Sequence, residues 1–136
     1  MWRKLERFGA ARLGDGLVAL PADARTREQF DWLAEEIVEA AGVATVWLAT
    51  PASAGQERSI AEPMRAARAR EYQAVIEQAG AAAAGGDAER ARVARRLRAE
   101  LRRIARRDFF PPGEREAARA AVDALVTVEA EEAERA

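Results

Sequence analysis

The sequence predicts an α+β protein that is mainly helical, with a small antiparallel sheet near its start and three helices in its C-terminal half. Residues 14–16 read Gly-Asp-Gly between two short apolar runs, which is typical of a β-hairpin. In the second half, apolar residues recur at steps of three and four, the spacing of one helical face. The clearest such series is Val93, Leu97, Leu101 and Ile104.

A chain of 136 residues is long enough for one domain with a buried core. We place that domain at residues 1–128, with a small α/β front half (1–50) and a helical half (57–127). Hydrophobic residues at 49% and charged residues at 33% indicate a globular protein. The longest uncharged run, residues 40–56, contains two glycines and a proline, so we expect no membrane span. Without a secretory signal, the expected location is the cytoplasm.

The sequence contains neither cysteine nor histidine. This excludes disulfides, thiol chemistry and any catalytic relay that needs an imidazole, and it leaves no ligands for a structural zinc site. We therefore expect a non-enzymatic protein that has no catalytic residues, no metal and no cofactor.

Five elements are predicted in the front half. Met1–Phe8 has an apolar helical face, and the runs Ala10–Leu13 and Leu17–Leu20 flank the hairpin turn. A helix over Thr26–Ala41 is expected to begin with Thr26 as its N-cap, in a capping box with the glutamine three residues later. Val43–Ala49 is β-branched and aromatic and lies between a glycine and a proline, which predicts a strand.

Three helices and a tail are predicted in the helical half. The first helix covers Glu62–Gln78, with Pro63 in its first turn, and Gly80–Gly86 is a flexible connector. The second covers about Arg90–Asp108 and ends before two prolines. The third covers Glu114–Thr127, and we expect the acidic residues 129–136 to fray.

The second of these helices carries most of the positive charge of the helical half. Residues 90–107 hold nine arginines and one glutamate, a local sum of +8 in a chain whose net charge is −1. Clustered arginines could bind the phosphates of nucleic acid or could hold a small oxyanion. They could also form a solvated face paired with Glu35, Glu36, Glu39 and the acidic tail. The candidate binding residues are Arg92, Arg95, Arg96, Arg102, Arg103 and Arg106.

Five aromatic residues are expected to be structural anchors. The three tryptophans stand on three different elements of the front half, which suggests a shared core beneath its sheet. Two adjacent phenylalanines follow the arginine-rich helix, where they would close it against the core. These residues are Trp2, Trp32, Trp47, Phe109 and Phe110.

Several motifs together resemble one bacterial family. The opening WRKLERFGAARLGDGLVALP, the stretch DWLAEEIVEAAGVATVWLA, the sequence RAREY and the close RDFFP occur in the order and spacing of the N-terminal domain of ChrB-type chromate-resistance proteins. The resemblance covers most of residues 2–125. It implies a cytoplasmic protein linked to chromate resistance, acting as a regulator, and a front half similar to a truncated ferredoxin-like unit.

The sequence departs from this family in two ways. Family members usually have a further apolar strand before the Trp-Arg helix, and longer members have a C-terminal domain with Cys and His residues, so no metal or redox role can be transferred. Without the first strand, the remaining strands lack a shared neighbour, and an unpaired apolar edge favours association. We therefore expect a homodimer, unless the native start lies upstream of Met1.

These observations predict a non-enzymatic regulatory or accessory protein that binds nucleic acid or an oxyanion. The alternative is a stand-alone interaction or oligomerisation domain that has neither ligand.

Overall fold

The computed structural model describes the backbone of residues 1–135 and the side chains of residues 1–127. Within that part of the chain it contains five helices and one sheet of two antiparallel strands. The mainly helical class and the small sheet are confirmed, and the three C-terminal helices are present. None of the helices in the described part is both long and apolar enough to cross a membrane. The elements in order are α1 (Trp2–Phe8), β1 (Ala11–Gly14), β2 (Leu17–Ala19), α2 (Ala24–Glu39), α3 (Ala54–Ala82), α4 (Asp87–Arg106) and α5 (Glu114–Arg135).

The chain forms two compact units, Met1–Pro63 and Met64–Ala136. In the first unit, β1 and β2 form the predicted hairpin, with Ala11 opposite Ala19 and a bulge near the turn. The turn contains Gly16 with a φ of 77°, a left-handed conformation that glycine adopts without the steric cost of a Cβ. The hairpin is thus confirmed, although the first strand lies one residue later than predicted and the second ends one residue earlier, at Ala19.

The second helix begins earlier than predicted because a different residue caps it. The Asp23 carboxylate accepts a hydrogen bond from the Thr26 N–H at 2.8 Å, and the Thr26 hydroxyl accepts one from the Asp23 N–H at 3.1 Å. Asp23 is therefore the N-cap, and Thr26 occupies the third helical position of the capping box. The prediction that Thr26 is the N-cap, with Gln29 completing the box, was wrong.

The predicted strand over Val43–Ala49 is not formed. These residues have no regular secondary structure, and Val43, Trp47 and Leu48 are 93%, 80% and 70% exposed. A strand requires hydrogen bonds to a neighbouring strand, and none of the described residues supplies them here. The strand prediction was wrong for this reason, and the described residues do not form the ferredoxin-like half that the resemblance implies.

The third helix starts eight residues before the predicted boundary. Its first turn is capped by Ser53, whose hydroxyl accepts a hydrogen bond from the Gln56 N–H at 3.2 Å. Pro63 is consequently an interior residue of α3 and not a first-turn residue. A proline there has no N–H to donate, so it removes one helical hydrogen bond. The boundary between the two compact units falls at this proline.

The second unit has a core formed by α3, α4 and α5. Leu97 and Ile104 are fully buried, and Val93 and Leu101 pack against the core from the same side of α4. The predicted apolar stripe is therefore confirmed. The inward face predicted for α5 is also confirmed, because Ala118, Val122 and Leu125 are buried and Ala121 packs against them. The core residues are Tyr72, Val75, Ala79, Ala82, Ala94, Leu97, Ile104, Ala118, Val122 and Leu125.

The ends of the second unit's elements differ from the prediction. α3 continues through part of the expected connector, to Ala82, and α4 begins at Asp87. α5 extends beyond Thr127 to Arg135. The predicted fraying concerns residues 129–136, whose side chains lie outside the described part of the chain.

Candidate functional site

The outward side of α4 carries a continuous row of arginines, which we call the arginine face: Arg92, Arg95, Arg96, Arg102, Arg103 and Arg106. At 3.6 residues per turn these six positions fall within roughly 120° of the helix circumference. All six residues are exposed, and the buried stripe of Leu97 and Ile104 lies on the other side of the helix. The candidate binding residues thus share one surface, because the spacing that buries the apolar stripe also turns them outward.

The arginine face is only partly neutralised by its neighbours. Arg103 donates two hydrogen bonds to Glu100 at 2.9 and 2.6 Å, and Arg96 donates one to the uncharged amide of Gln78 at 2.7 Å. Arg92, Arg95 and Arg102 have no hydrogen bond or ion pair with any side chain in the described part of the chain. Their positive charges are therefore available to an external anion.

The other arginines of this stretch have intramolecular roles. Arg90 is buried, donates to the Gly85 carbonyl oxygen and pairs with Asp87, so it fixes the turn before α4. Arg98 pairs with Asp123 of α5 at 3.5 Å. Of the acids that the sequence suggested as partners, Glu36 pairs with Lys4 inside the first unit. The nine arginines are therefore not one functional set.

A partly buried polar cluster joins the middle of α3 to the end of α4. Arg107 donates to the Glu71 carboxylate at 3.1 Å, and Glu71 also pairs with Arg68 at 3.3 Å. Arg68 donates in turn to the main-chain oxygen of Arg107 at 3.3 Å. Burial, the main cause, lowers the pKa of Arg68, but an arginine remains charged throughout the physiological range. One carboxylate is thus held between two guanidinium groups.

Within the same cluster, Tyr72 and Asp108 form a contact that is buried. The Tyr72 hydroxyl donates to Asp108 Oδ2 at 2.7 Å, and Arg115 of α5 approaches the same oxygen at 3.8 Å. The Asp108 side chain is fully buried, and its Oδ1 atom has no hydrogen-bond partner in the described part of the chain. Burial, followed by the bond to Asp108, raises the pKa of Tyr72 above its ordinary value, so Tyr72 stays protonated at neutral pH.

A small pocket opens beside Tyr72, between α4 and α5. Its volume is about 120 Å³, and it is lined by two apolar residues and three arginines in addition to Tyr72. Arg102 belongs to the arginine face, whereas Arg115 and Arg119 come from α5. The complete lining is Tyr72, Leu101, Arg102, Ala105, Arg115 and Arg119.

Comparison with known families identifies the N-terminal two thirds of the chain. The family model described as Protein ChrB, N-terminal, matches residues 1–89. The chain belongs to the ChrB N-terminal family. This membership links it to chromate resistance. Comparison with the curated proteins and with the solved structures gave no match.

The polar cluster joins two of the motifs that carried the resemblance. Arg68, Glu71 and Tyr72 belong to the RAREY sequence, which lies within the range matched by the ChrB model, whereas Arg107 and Asp108 belong to RDFFP, which lies beyond it. The two motifs are 36 residues apart between Tyr72 and Asp108, yet they are hydrogen-bonded to each other. Sequence reasoning found both motifs but did not find this pairing.

The expected aromatic anchors differ in burial. Trp2, Trp32 and Trp47 are 44%, 60% and 80% exposed, so the tryptophans do not form the shared core expected for the front half. The Trp2 ring stacks against the guanidinium of Arg12, 4.4 Å from the ring centroid, and the Trp47 indole N–H donates to the Thr45 hydroxyl at 3.0 Å. A large amphipathic ring can satisfy its polar atom at a wet surface in this way. Phe109 and Phe110 are both half-buried.

Two groups of functional candidates were missed by sequence reasoning. Arg115 and Arg119 stand in a helix whose pattern indicated only an inward apolar face, and nothing local connects them to Arg102. The sequence was used to predict only that the helix ends near Asp108. The two phenylalanines that follow Asp108 are a local signal that its carboxylate could be buried and accept a hydrogen bond. Among the described residues, no group of three or more acidic side chains is arranged to hold a metal ion.

Proposed function

We propose that this ChrB-family protein is a non-enzymatic cytoplasmic regulator in chromate resistance, and that the arginine face of α4 binds the phosphates of nucleic acid. The observation that carries the proposal is the set of three exposed arginines, Arg92, Arg95 and Arg102, that have no partner in the described part of the chain. Arg90 and Arg107, by contrast, are held by internal partners, whereas these three arginines lie unpaired on one face of α4.

The shape of this surface also supports nucleic acid as the ligand. Six positions along four turns of one helix give a row of positive charge, and a duplex presents a row of phosphates with condensed counterions. The protein's net charge of −1 argues against general attraction to polyanions, so binding would depend on this local surface. Contacts from arginine to phosphate orient a protein on the duplex without reading its sequence.

The test is a titration of fluorescent duplex DNA at two salt concentrations, with paired charge-removal variants. R92Q/R95Q removes two unpaired arginines of the arginine face. R65Q/R70Q removes the same charge from exposed positions of α3. We expect R92Q/R95Q to reduce the slope of log affinity against log salt by about 1.8, the value for two phosphate contacts, and R65Q/R70Q to leave the slope unchanged.

Two results would contradict this function. Absence of DNA binding by the unmodified protein at low salt would exclude it directly. Equal loss of affinity in R92Q/R95Q and R65Q/R70Q would show that binding follows total charge and not the arginine face.

A second candidate function, self-association, is favoured by a specific feature of the first unit. Val43–Leu48 is uncharged, β-branched and largely exposed, and its backbone has no strand partner among the described residues. Because it contains no charged side chain, two copies could pair here without like-charge repulsion, and strand pairing would satisfy the open backbone groups. In such a dimer this segment would become a strand of the ferredoxin-like half.

Sedimentation velocity over a range of concentrations tests self-association. We expect the protein to dimerise and Leu48→Glu, which places two like charges in the new sheet, to shift it towards monomer. Val38→Glu, at an exposed position on α2, is the matched control and should leave the dimer intact. A monomer at all concentrations, or equal dissociation by both variants, would exclude pairing through this segment.

A further inference from the structure

We propose that the pocket between α4 and α5 is a binding site for one small tetrahedral oxyanion, held by Arg102, Arg115 and Arg119. This site differs from the arginine face, since two of its three arginines belong to α5, and it does not depend on whether the protein binds nucleic acid.

The size of the pocket restricts the class of ligand. Sites for drug-sized organic molecules and cofactors usually have volumes of about 300–1,000 Å³. This pocket has about 120 Å³, which is too small for such a molecule but sufficient for a four-oxygen anion with its nearest water. The ligand class is therefore inorganic, with sulfate, phosphate and chromate as members of the same shape.

The charges around the pocket favour an anion. Arg102 has no partner in the described part of the chain, and Arg115 pairs with Asp108 at 3.8 Å, which is beyond normal hydrogen-bond distance. Arg119 pairs with Glu116 at 2.8 Å, but its side chain is about half-exposed and can turn. Three guanidinium groups thus stand against two carboxylates, and the pocket retains a net positive charge.

The remaining lining strengthens this electrostatic effect. Leu101 and Ala105 form apolar walls. Tyr72 is buried, and its hydroxyl group already donates its proton to Asp108, so it has no donor left for an anion. A charge-assisted hydrogen bond from a guanidinium is stronger beside such walls than in open water, because the local dielectric is lower. Tyr72 therefore shapes the pocket, and the arginines supply the donors to the anion.

The same residues explain why the site should discriminate by charge and shape. A guanidinium group presents paired N–H donors in one plane, which match two oxygens of a tetrahedral dianion. A single halide ion can accept several hydrogen bonds, but it has only one acceptor atom and so cannot match the two parallel donors of a guanidinium group as two oxygens do. We therefore expect sulfate and chromate to bind more tightly than chloride at equal ionic strength.

Isothermal titration calorimetry with sulfate, and then chromate, in chloride buffer of constant ionic strength tests the proposal. We expect one site per chain, and a rise of about tenfold in Kd for both Arg102→Gln and Arg119→Gln. Arg95→Gln is the matched control: it removes an exposed, unpaired arginine of α4 that does not line the pocket, and sulfate affinity should stay unchanged.

Either of two results would overturn the proposal. Sulfate binding no stronger than chloride binding would exclude a dedicated oxyanion site. Equal weakening by Arg95→Gln and Arg102→Gln would show that the anion responds to the charge of α4 as a whole. Arg119 lies outside the arginine face, so Arg119→Gln should weaken sulfate binding without affecting DNA binding. This variant therefore distinguishes failure of the oxyanion site from failure of the proposed DNA binding.

Discussion

The arginine-rich helix α4 and the apolar segment Val43–Leu48 both carry strong sequence signals, but only α4 forms the predicted structure. α4 makes its backbone hydrogen bonds within itself, and its apolar stripe finds a core in the same unit. Val43–Leu48 has the composition of a strand, but a strand needs hydrogen bonds from another segment. The comparison teaches that a local pattern is sufficient for a helix, whereas a strand also depends on a partner.

The largest expected effect is a difference in how much substitutions in the two regions lower the free energy of unfolding. Leu97→Ala should lower the free energy of unfolding by about 2–5 kcal/mol, since it opens a cavity at a fully buried position of α4. Trp47→Ala should change it by less than about 0.5 kcal/mol, because the ring is 80% exposed. Urea denaturation at a concentration where the protein is monomeric measures both. A loss above about 2 kcal/mol for Trp47→Ala would mean that this segment is packed.

The next effect concerns the contact that fixes the end of α4. Tyr72→Phe should cost about 1–3 kcal/mol of unfolding free energy, because it removes the hydrogen bond to Asp108 and leaves that buried carboxylate without a donor. Ser59→Ala is the control, since it removes a hydroxyl that donates to Gly55 at an exposed position of α3. Urea denaturation measures the free energy of unfolding of both variants. An equal decrease in the two would show that burial of the Tyr72–Asp108 contact adds nothing to stability.

A pH dependence follows from the same tyrosine, which is the only one in the chain. Its pKa is raised in the folded state, so the folded protein holds the phenolic proton more tightly than the unfolded chain does. Its contribution is therefore complete below about pH 10, the pKa of an unperturbed tyrosine, and is lost as the pH rises further, at up to about 1.4 kcal/mol per pH unit. Urea denaturation between pH 9 and 11 should show this loss in the unmodified protein and not in Tyr72→Phe. Parallel curves for the two proteins would contradict it.

The smallest expected effect tests a local feature of the first unit. Asp23→Ala should destabilise α2 by about 1 kcal/mol, because it removes the side chain that accepts from the Thr26 N–H. Asp15→Ala, in the exposed hairpin turn, is the control and should have less effect. Thermal unfolding followed by circular dichroism measures both. An equal shift in Tm for the two variants would indicate that the cap contributes nothing.

Features of the fold were predictable from the sequence when the residues that determine them lie close together in the chain. The stripe of α4, the inward face of α5 and the Gly-Asp-Gly turn were all predicted, since each depends on residues within a few positions of one another. The caps at Asp23 and Ser53 are local too, and a serine three residues before Gln56 could have placed the start of α3 correctly.

The features that were not predicted depend on contacts between residues that are far apart in the sequence. The contact between Tyr72 and Asp108, and the meeting of Arg102 with two arginines of α5, join residues from different helices. No spacing within one element encodes such pairs. The missing strand has the same origin, because its formation depends on a second segment and not on its own residues.

The central claim is that the two sides of α4 have different roles. The apolar stripe packs into the core of the second unit, and the arginine face binds nucleic acid. The most direct test is to record the Nε–Hε resonances of the arginines by NMR while duplex DNA is added. We expect those of Arg92, Arg95 and Arg102 to shift together and to saturate, while those of Arg68 and Arg107 in the polar cluster stay in place. Shifts confined to arginines outside α4, or shifts of equal size throughout the chain, would contradict the claim.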